Sequence, residues 1–232
     1  MRITTLFAAA LLAAAPVAAA ATPAPAPAPA PLSSQVIRTD DGYLMGNPKA
    51  PVKLVVLSAF GCPHCRIIDG AMMPPLKRDW IDTGKVSLRY VPYGMFPTDV
   101  PSLFLSECGR VDGFFNRSGR IFKIQQVVTS AFAGAPSASR SKIAEGPAAN
   151  VPGALASLSG LTNYAPRVGV TQAAFRQCLS NPGIRQAISK RQKVIEARYK
   201  FVGTPAIWIN GKPTGTGSSW PKLEALLKAA SR

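Results

Sequence analysis

The chain has 232 residues, of which 47% are hydrophobic, and 27 lysines and arginines against 11 acidic residues give it a formal net charge of +16. This length is enough for one domain with a substantial core and an inserted subdomain. The charge does not indicate nucleic-acid binding, because the basic residues are scattered without a recognised binding motif; attraction to an anionic membrane or to acidic partners explains it better.

Residues 1–20 have the pattern of a secretory signal peptide. Arg2 supplies a positive charge, residues 6–15 are apolar, and residues 18–20 are alanines that fit a cleavage site. An uncleaved membrane anchor is the alternative, because the apolar stretch almost reaches the roughly 20 residues that span a bilayer. Residues 21–33, rich in alanine and proline, are predicted to form an extended tether. We therefore expect a periplasmic or secreted protein whose cysteines can form lasting disulfides.

The strands and helices that follow are predicted from hydrophobic periodicity. Residues 42–48 indicate a short strand that ends in a turn, and residues 52–60 have the β-branched and leucine composition of a strand buried on both faces. A helix begins at Pro63, and residues 85–91 alternate polar and apolar side chains as a strand does. This order of strand, helix and strand predicts a right-handed βαβ unit.

Two cysteines, Cys62 and Cys65, lie where the first of these long strands passes into the helix. The unpaired N–H groups and the dipole of a helix N-terminus favour a negative charge, so a thiol placed there ionises at a lowered pKa. Pro63 suits the first helical position. His64, the only histidine, is predicted to donate a hydrogen bond or a positive charge to the Cys62 sulfur, with a surface histidine that caps a turn as the alternative. A more stable thiolate makes the disulfide a stronger oxidant.

Half of a zinc site is the competing interpretation of these two cysteines. Zinc takes four ligands, usually from two Cys-X-X-Cys pairs or from one pair and two histidines. The remaining cysteines, Cys108 and Cys178, are far apart in the sequence, and there is no second histidine. We therefore expect no metal.

Residues 102–200 have helical rather than β periodicity. The helical segments are 102–108, 113–128, 153–159, 171–179 and a long stretch from Pro182. Residues 130–150, rich in alanine, serine, glycine and proline, are predicted to be mostly loop. The basic face of the last helix, which includes Arg191 and Arg198, is predicted to be solvated, with docking to an acidic surface as the alternative.

Strand signals return at residues 206–209. Asn210 and Gly211 form the strongest short hairpin signal, so a second short strand should pair with the first. Ser218 or Ser219 is expected to cap a closing helix.

This order, with Cys62-Pro63-His64-Cys65 at a helix start and Gly203-Thr204-Pro205 before the returning strand, resembles the thioredoxin superfamily. It is most similar to the exported DsbA-like thiol:disulfide oxidoreductases, in which a helical domain is inserted into a thioredoxin fold; residues 45–52 and Asn210-Gly211 share that likeness. The resemblance implies an α/β fold. Residues 34–100 and 200–232 would form the thioredoxin-like domain, and residues 101–199 the inserted helical domain.

The resemblance also implies roles for individual residues. Cys62 would be the attacking, more exposed thiol and Cys65 the buried resolving one. Pro205 would be a cis-proline beside the dithiol, with Thr204 offering backbone hydrogen bonds to an extended substrate. An ordinary trans proline at the start of an edge strand is the alternative.

The sequence departs from the pattern of many relatives in one position and extends it in another. Many relatives resemble one another in that the strand before the motif contains a buried acidic residue, and residues 53–60 of this chain contain none. Asp69, one turn beyond Cys65, is the nearest carboxylate that could accept a proton from Cys65 instead. Some members look similar in carrying a second, structural disulfide, which would join Cys108 and Cys178. Two separate buried thiols are the alternative.

We therefore expect an exported thiol:disulfide oxidoreductase that introduces disulfides into secreted or periplasmic proteins. Its substrates would be cysteine-containing exported proteins, and a membrane redox partner would reoxidise its dithiol. The resemblance implies a monomer without a metal or organic cofactor. A disulfide isomerase or a dedicated reductant on the same fold is one alternative, and a peptide-binding, chaperone-like module is an alternative from another class.

Overall fold

The structure is a computed structural model that describes residues 30–215 and 217–232. The predicted signal peptide and all but the end of the predicted tether lie outside these residues. Within the described residues, the chain forms a mixed sheet of six strands flanked by helices.

The strands lie in the order β1, β2, β4, β3, β5, β6 across the sheet. They are β1 (Val36–Arg38), β2 (Tyr43–Met45), β3 (Val52–Ser58), β4 (Val86–Pro92), β5 (Ala206–Ile209) and β6 (Lys212–Pro213). β3 is parallel to β4 and antiparallel to β5. The predicted α/β class with a βαβ unit and a late hairpin is confirmed, and β1 is a short edge strand in addition to the predicted ones.

Local sequence explains the strand that leads into the cysteines, β3, and the hairpin whose first strand pairs with it. On β3, Leu54, Val56 and Leu57 are at most 1% exposed, because the strand is covered by layers on both faces. The turn between β5 and β6 places Asn210 and Gly211 at positive φ, 49° and 81°, which the turns that match the twist of a hairpin require.

Helices flank the sheet and fill the segment between β4 and β5. They are α1 (Pro63–Pro75), α2 (Asp99–Glu107), α3 (Phe114–Gly134), α4 (Ser137–Glu145), α5 (Val151–Leu158), α6 (Leu161–Val168), α7 (Gln172–Ser180), α8 (Pro182–Arg198) and α9 (Trp220–Ala230). α1 ends at two prolines, and a π-helical turn, Leu76–Ile81, follows them. In the part of the chain that the structure describes, no helix has the length and apolar character needed to cross a bilayer.

The prediction that residues 130–150 are mostly loop is wrong. α3 continues through this segment to Gly134, and α4 occupies Ser137–Glu145. The segment is rich in alanine, the best helix former. Pro136 lies between the end of α3 and the start of α4 and separates the two helices. The Arg140 guanidinium on α4 donates to the carbonyl of Ala133 near the end of α3, at 2.8 Å, which stabilises the junction. α6 likewise had no counterpart among the predicted helices.

The prediction of a solvated basic face on α8 is also wrong in part. Arg191 is 3% exposed and forms a salt bridge with the buried carboxylate of Glu107. Its position explains this, because Arg191 follows Ile188 by three residues and precedes Ile195 by four, so it lies on the buried face of the helix. Arg198, at the end of the same helix, binds the carboxylates of Asp40 and Asp41.

Candidate active site

Cys62 and Cys65 lie at the N-terminus of α1, directly after β3. Cys62 is the residue before the first helical position, which Pro63 occupies, and Cys65 lies within the first turn. Cys62 is 4% exposed and Cys65 is fully buried at 0%. An attacking reagent therefore reaches the Cys62 sulfur first.

The surroundings of Cys62 favour its thiolate. A hydrogen bond from the Cys65 thiol is the largest influence that lowers the pKa of Cys62 to about 5. Thr204 and the backbone N–H groups of Cys65 and His64 lower it further, while burial opposes them. The backbone N–H of His64 is thus part of the predicted helix-terminus effect, and its side chain lines the groove described below.

Cys65 has the opposite environment. Burial raises the pKa of its thiol strongly, and the neighbouring Cys62 adds to the rise. The backbone N–H of Ala59 donates to its sulfur at 3.5 Å. Cys65 therefore holds its proton while Cys62 is ionised, which divides the two thiols into a nucleophile and a protonated neighbour.

The loop before β5 closes one side of the pair. The Thr204–Pro205 peptide bond is cis. When Cys62 is protonated, its thiol donates to the carbonyl oxygen of Thr204 at 3.1 Å; the side chain of the same residue is what favours the thiolate. A groove of about 570 Å³ begins here and is lined by His64, Val202, Pro205 and Trp208 among others. The sequence-predicted residues of the motif and of this loop therefore share one surface.

Two residues that sequence reasoning missed hold the loop in front of α1. Gln125, on α3, is 5% exposed, and its amide donates to the carbonyls of Phe60 and Cys62. Its carbonyl oxygen accepts from the Arg66 guanidinium at 3.1 Å. The residue lies 63 positions after Cys62, so only the fold reveals the contact.

Asp99 is the second missed residue. Its carboxylate is fully buried and accepts from the backbone N–H groups of Gly61, Met95 and Phe96. Burial raises the pKa of Asp99 to about 6, although these three donors oppose the rise. The contact draws the two loops so close together that a Cβ on Gly61 would lie 2.9 Å from Phe96, so this position requires glycine. In the sequence, the only indication of this contact is that Asp99 precedes the apolar residues of α2.

Asp69, the predicted proton acceptor, lies on the buried face of α1. It is 9% exposed and makes no hydrogen bond within the described residues. Burial raises the pKa of Asp69 to about 6, and the positive charge of Lys77 opposes the rise. The carboxylate borders a crevice of about 380 Å³ between α1 and α3, whose other lining residues include Arg66 and Lys123.

A family model described as thioredoxin matches residues 38–229, which is most of the chain. The chain belongs to the thioredoxin family. Its structure also resembles a crystal structure of a protein-disulfide isomerase from Novosphingobium aromaticivorans, with a TM-score of 0.75, 23% identity, and coverage of 82% of this chain and 96% of the other. Wolbachia pipientis alpha-DsbA1 is similar in fold, with a TM-score of 0.61, 19% identity, and coverage of 81% and 89%. The predicted resemblance to DsbA-like proteins is thus confirmed.

Among curated sequences, a candidate protein-disulfide oxidoreductase of Rickettsia conorii is 25% identical over 179 residues, which are 77% of this chain and 57% of the relative. This thioredoxin-family chain therefore spans little more than half the length of that relative.

The structure of this thioredoxin-family chain joins Cys108 and Cys178 by a disulfide. Cys108 directly follows α2, and Cys178 lies on α7, so the bond links two helices of the segment between β4 and β5. The free thiols of the described chain are Cys62 and Cys65.

The raised pKa of Asp69 predicts a loss of stability with rising pH. The pKa rises from its usual 3.8 to about 6 on folding, so the unfolded chain releases this proton first. The stabilisation is fully present below about pH 4 and is lost as the pH rises through about 6, a loss of about 3 kcal/mol at 1.36 kcal/mol per pKa unit. Asp69→Asn should remove this contribution to the pH dependence of the free energy of unfolding, measured by urea denaturation between about pH 4 and pH 7.

Asp112→Asn is the matched control, because the Asp112 side chain is 54% exposed and paired with Arg110 on the surface. It should leave the pH dependence in this range unchanged. Equal slopes for wild type and Asp69→Asn would show that Asp69 ionises normally in the folded protein.

Proposed function

We propose that this chain is an exported thiol:disulfide oxidoreductase that acts mainly as an oxidant. A substrate thiolate attacks Cys62 in the oxidised Cys62–Cys65 pair, and a mixed disulfide forms. A second substrate thiol then attacks the substrate sulfur of that mixed disulfide. The substrate leaves with a new disulfide, and the enzyme is left with two thiols.

The low pKa of Cys62, about 5, is the observation that carries this proposal. A thiolate that is stable at neutral pH favours the reduced enzyme, and an enzyme whose reduced form is stabilised is a strong oxidant. The same thiolate is a good leaving group when the mixed disulfide is resolved. The buried, protonated Cys65 supports the roles of Cys62 as the attacked sulfur and Cys65 as the resolving one.

The Thr204 and Pro205 loop is proposed to bind the substrate chain next to Cys62. Its groove presents the apolar side chains of Val202 and Trp208 beside the backbone of Thr204, a combination that suits an extended, partly unfolded polypeptide. Asp69 is proposed as the proton acceptor for Cys65, and the Cys108–Cys178 disulfide is proposed to be structural.

The proposed setting is the periplasm or the exterior, after cleavage of residues 1–20. Cysteine-containing exported proteins are the proposed substrates, and a membrane redox partner would reoxidise the dithiol of the monomeric enzyme. Residues 34–100 and 200–232 are proposed as the thioredoxin-like domain, with 101–199 as the inserted domain. Thiol and disulfide sulfurs carry all electrons in this cycle, so it needs no other cofactor.

Disulfide isomerisation is the second candidate function. The similar fold of the Novosphingobium protein, which is named a protein-disulfide isomerase, favours it. An isomerase works with its two cysteines reduced, because a thiolate must attack the wrongly paired disulfide of the substrate. An oxidant works with its two cysteines joined, because it passes that disulfide to the substrate. The two differ in the redox state that does the work.

Equilibration of the Cys62–Cys65 pair with glutathione tests the proposal. We expect a reduction potential closer to the about −120 mV of a strong oxidant than to the about −270 mV of thioredoxin. The oxidised enzyme should also convert a reduced two-cysteine peptide to its disulfide form. A potential near that of thioredoxin, with rearrangement of a scrambled substrate by the reduced enzyme, would instead support the isomerase.

A further inference from the structure

The short segment between α8 and the cis peptide bond is held against the sheet by aromatic side chains. Tyr199 has an extended backbone, with φ −108° and ψ 129°, and its hydroxyl donates to the buried carboxylate of Asp41 at 2.7 Å. Its ring packs against Trp208 of β5, with 5.2 Å between the ring centroids. Two residues later, the ring of Phe201 packs edge-on against that of Tyr93, with 5.0 Å between the centroids. These contacts fix the course of the chain just before the loop that borders Cys62.

Lys200 lies between these two anchored aromatic residues. Tyr199 and Phe201 pack on the same apolar cluster. Because successive side chains of an extended segment point to opposite sides, the Lys200 side chain points away from that cluster. The lysine is exposed and lines the groove that begins beside Cys62. Within the described residues its ammonium group has no ion-pair partner, so its charge is available to a molecule in the groove.

The described lining of the groove carries positive but no negative side chains. Its titratable residues are His64, at the end next to the dithiol, and Lys200. Lys212, on β6, adds a third basic residue directly beside the lining. The sequence has no acidic residue at positions 197–223, and Glu196 does not belong to the described lining. A groove whose charges have one sign attracts ligands of the opposite sign, so this groove favours an anionic group.

The position of Lys200 sets the distance of that anionic group from the reacting cysteine. The carbonyl oxygen of Thr204 lies 3.1 Å from the Cys62 sulfur. Lys200 precedes Thr204 by four residues, which span at most about 14 Å in an extended chain. An extended substrate joined to Cys62 covers the same distance with about four of its own residues. A side chain at that position of the substrate therefore comes within reach of the Lys200 ammonium group.

We propose that the groove selects polypeptides that carry an acidic side chain about four residues from the reacting cysteine, and that Lys200 contacts its carboxylate. The residues between the two would lie along the apolar side chains of Val202 and Trp208. The proposal rests on the proposed function and names its substrate class. Lys200 takes no part in the exchange of sulfur bonds and acts only on how readily a substrate is captured.

Reduction of the oxidised full-length protein by peptides with one cysteine tests this preference. The peptides differ only in a glutamate, a glutamine or a lysine, placed either four residues before or four residues after the cysteine. An excess of peptide reduces the Cys62–Cys65 bond to two thiols, and two peptide thiols are oxidised to a disulfide-linked peptide dimer. Acid quenching and mass analysis give the rate.

In the series whose variable residue lies over Lys200, we expect the glutamate peptide to react about threefold faster than the glutamine peptide, and the lysine peptide about threefold slower. This is the size expected of one exposed ion pair at low salt. The differences should shrink in 0.5 M salt because the charges are then screened within about one contact distance.

Lys200→Glu should reverse the order, so that the lysine peptide reacts fastest. A charged neighbour also changes the reactivity of the peptide's own thiol, but that effect is the same with every variant of the protein, so a reversal is due to Lys200. Lys190→Glu is the matched control, because Lys190 is exposed on α8, about 12 Å along the helix axis from Arg198, and the net charge changes equally. It should keep the wild-type order.

The outcomes separate the preference from the proposed function. Equal ratios of the three peptide rates in wild type and in Lys200→Glu, in both series, would refute the preference for acidic substrates while the thiol chemistry stands. If no peptide reduces the oxidised protein, the proposed function fails, and the preference fails with it.

Discussion

Replacement of Cys65 by alanine will trap the protein in mixed disulfides with its partners, whereas replacement of Cys62 will trap none. Cys62 is the sulfur that a substrate can reach and the one that is ionised, because its pKa is about 5. Return to the free enzyme through Cys65 requires the Cys65 sulfur as the attacking group. In Cys65→Ala, the Cys62 thiolate attacks a disulfide of a partner protein, and one partner sulfur leaves as a thiolate. Because the Cys65 route of release is absent, these adducts should accumulate until another thiol resolves them.

The measurement is electrophoresis without reductant of the full-length variants, residues 1–232, after expression in an oxidising compartment. Cys65→Ala should run as several dithiothreitol-sensitive adducts, and Cys62→Ala as the free protein. Both variants should also be made with Cys108→Ala and Cys178→Ala, which removes any adduct through the second pair of cysteines. Identical adducts for both variants in that background, or none for either, would contradict the assigned roles.

Loss of the Cys108–Cys178 disulfide will lower the free energy of unfolding by about 4 kcal/mol. The bond closes a loop of 70 residues, and the chain-entropy model gives a restriction of the unfolded state of that size. Because the loop includes α3 to α6 and most of α7, the bond should stabilise the whole segment between β4 and β5. Urea denaturation of Cys108→Ala/Cys178→Ala against wild type measures the loss.

A Cys62→Ala/Cys65→Ala background isolates this bond from the redox-active pair. There, dithiothreitol should lower the free energy of unfolding by about the same amount, because only one disulfide can be reduced. With Cys108 and Cys178 also replaced, dithiothreitol should have no effect. Alkylation of both Cys108 and Cys178 without reductant, in protein expressed in an oxidising compartment, would show that the bond does not form.

The fold could be predicted because its signals are local. The apolar run of β3, the thiols directly after it and the Asn210-Gly211 turn each depend on neighbours in the sequence. The segment of residues 130–150 was wrongly predicted because glycine and proline were given more weight than the helix propensity of alanine. The two prolines of this segment both lie between helices, Pro136 between α3 and α4 and Pro147 between α4 and α5.

Asp99 and Gln125, which hold the loop in front of α1, could not be predicted because their contacts are not local. A search for an acidic residue in the strand before the motif finds none, yet Asp99 reaches the backbone of Gly61 from 38 residues away. Gln125 contacts the same loop from another helix. Arg191 was misassigned for a related reason: its spacing from Ile188 and Ile195 indicated burial, but the partner that permits burial, Glu107, lies 84 residues away.

The amide of Gln125 has a consequence for how this protein can be rebuilt. It satisfies the carbonyls of Phe60 and Cys62 from α3, a helix that a thioredoxin fold without the insertion does not have. The inserted helices are therefore not a removable module, because their deletion would take away the amide that donates to the carbonyl of Phe60 and leave the carbonyl of Cys62 with the backbone N–H of Arg66 alone. A chimera whose helices come from a distant homologue also needs a side-chain amide at the position of Gln125. That one amide affects the loop before α1 more than the overall sequence identity of the grafted segment does.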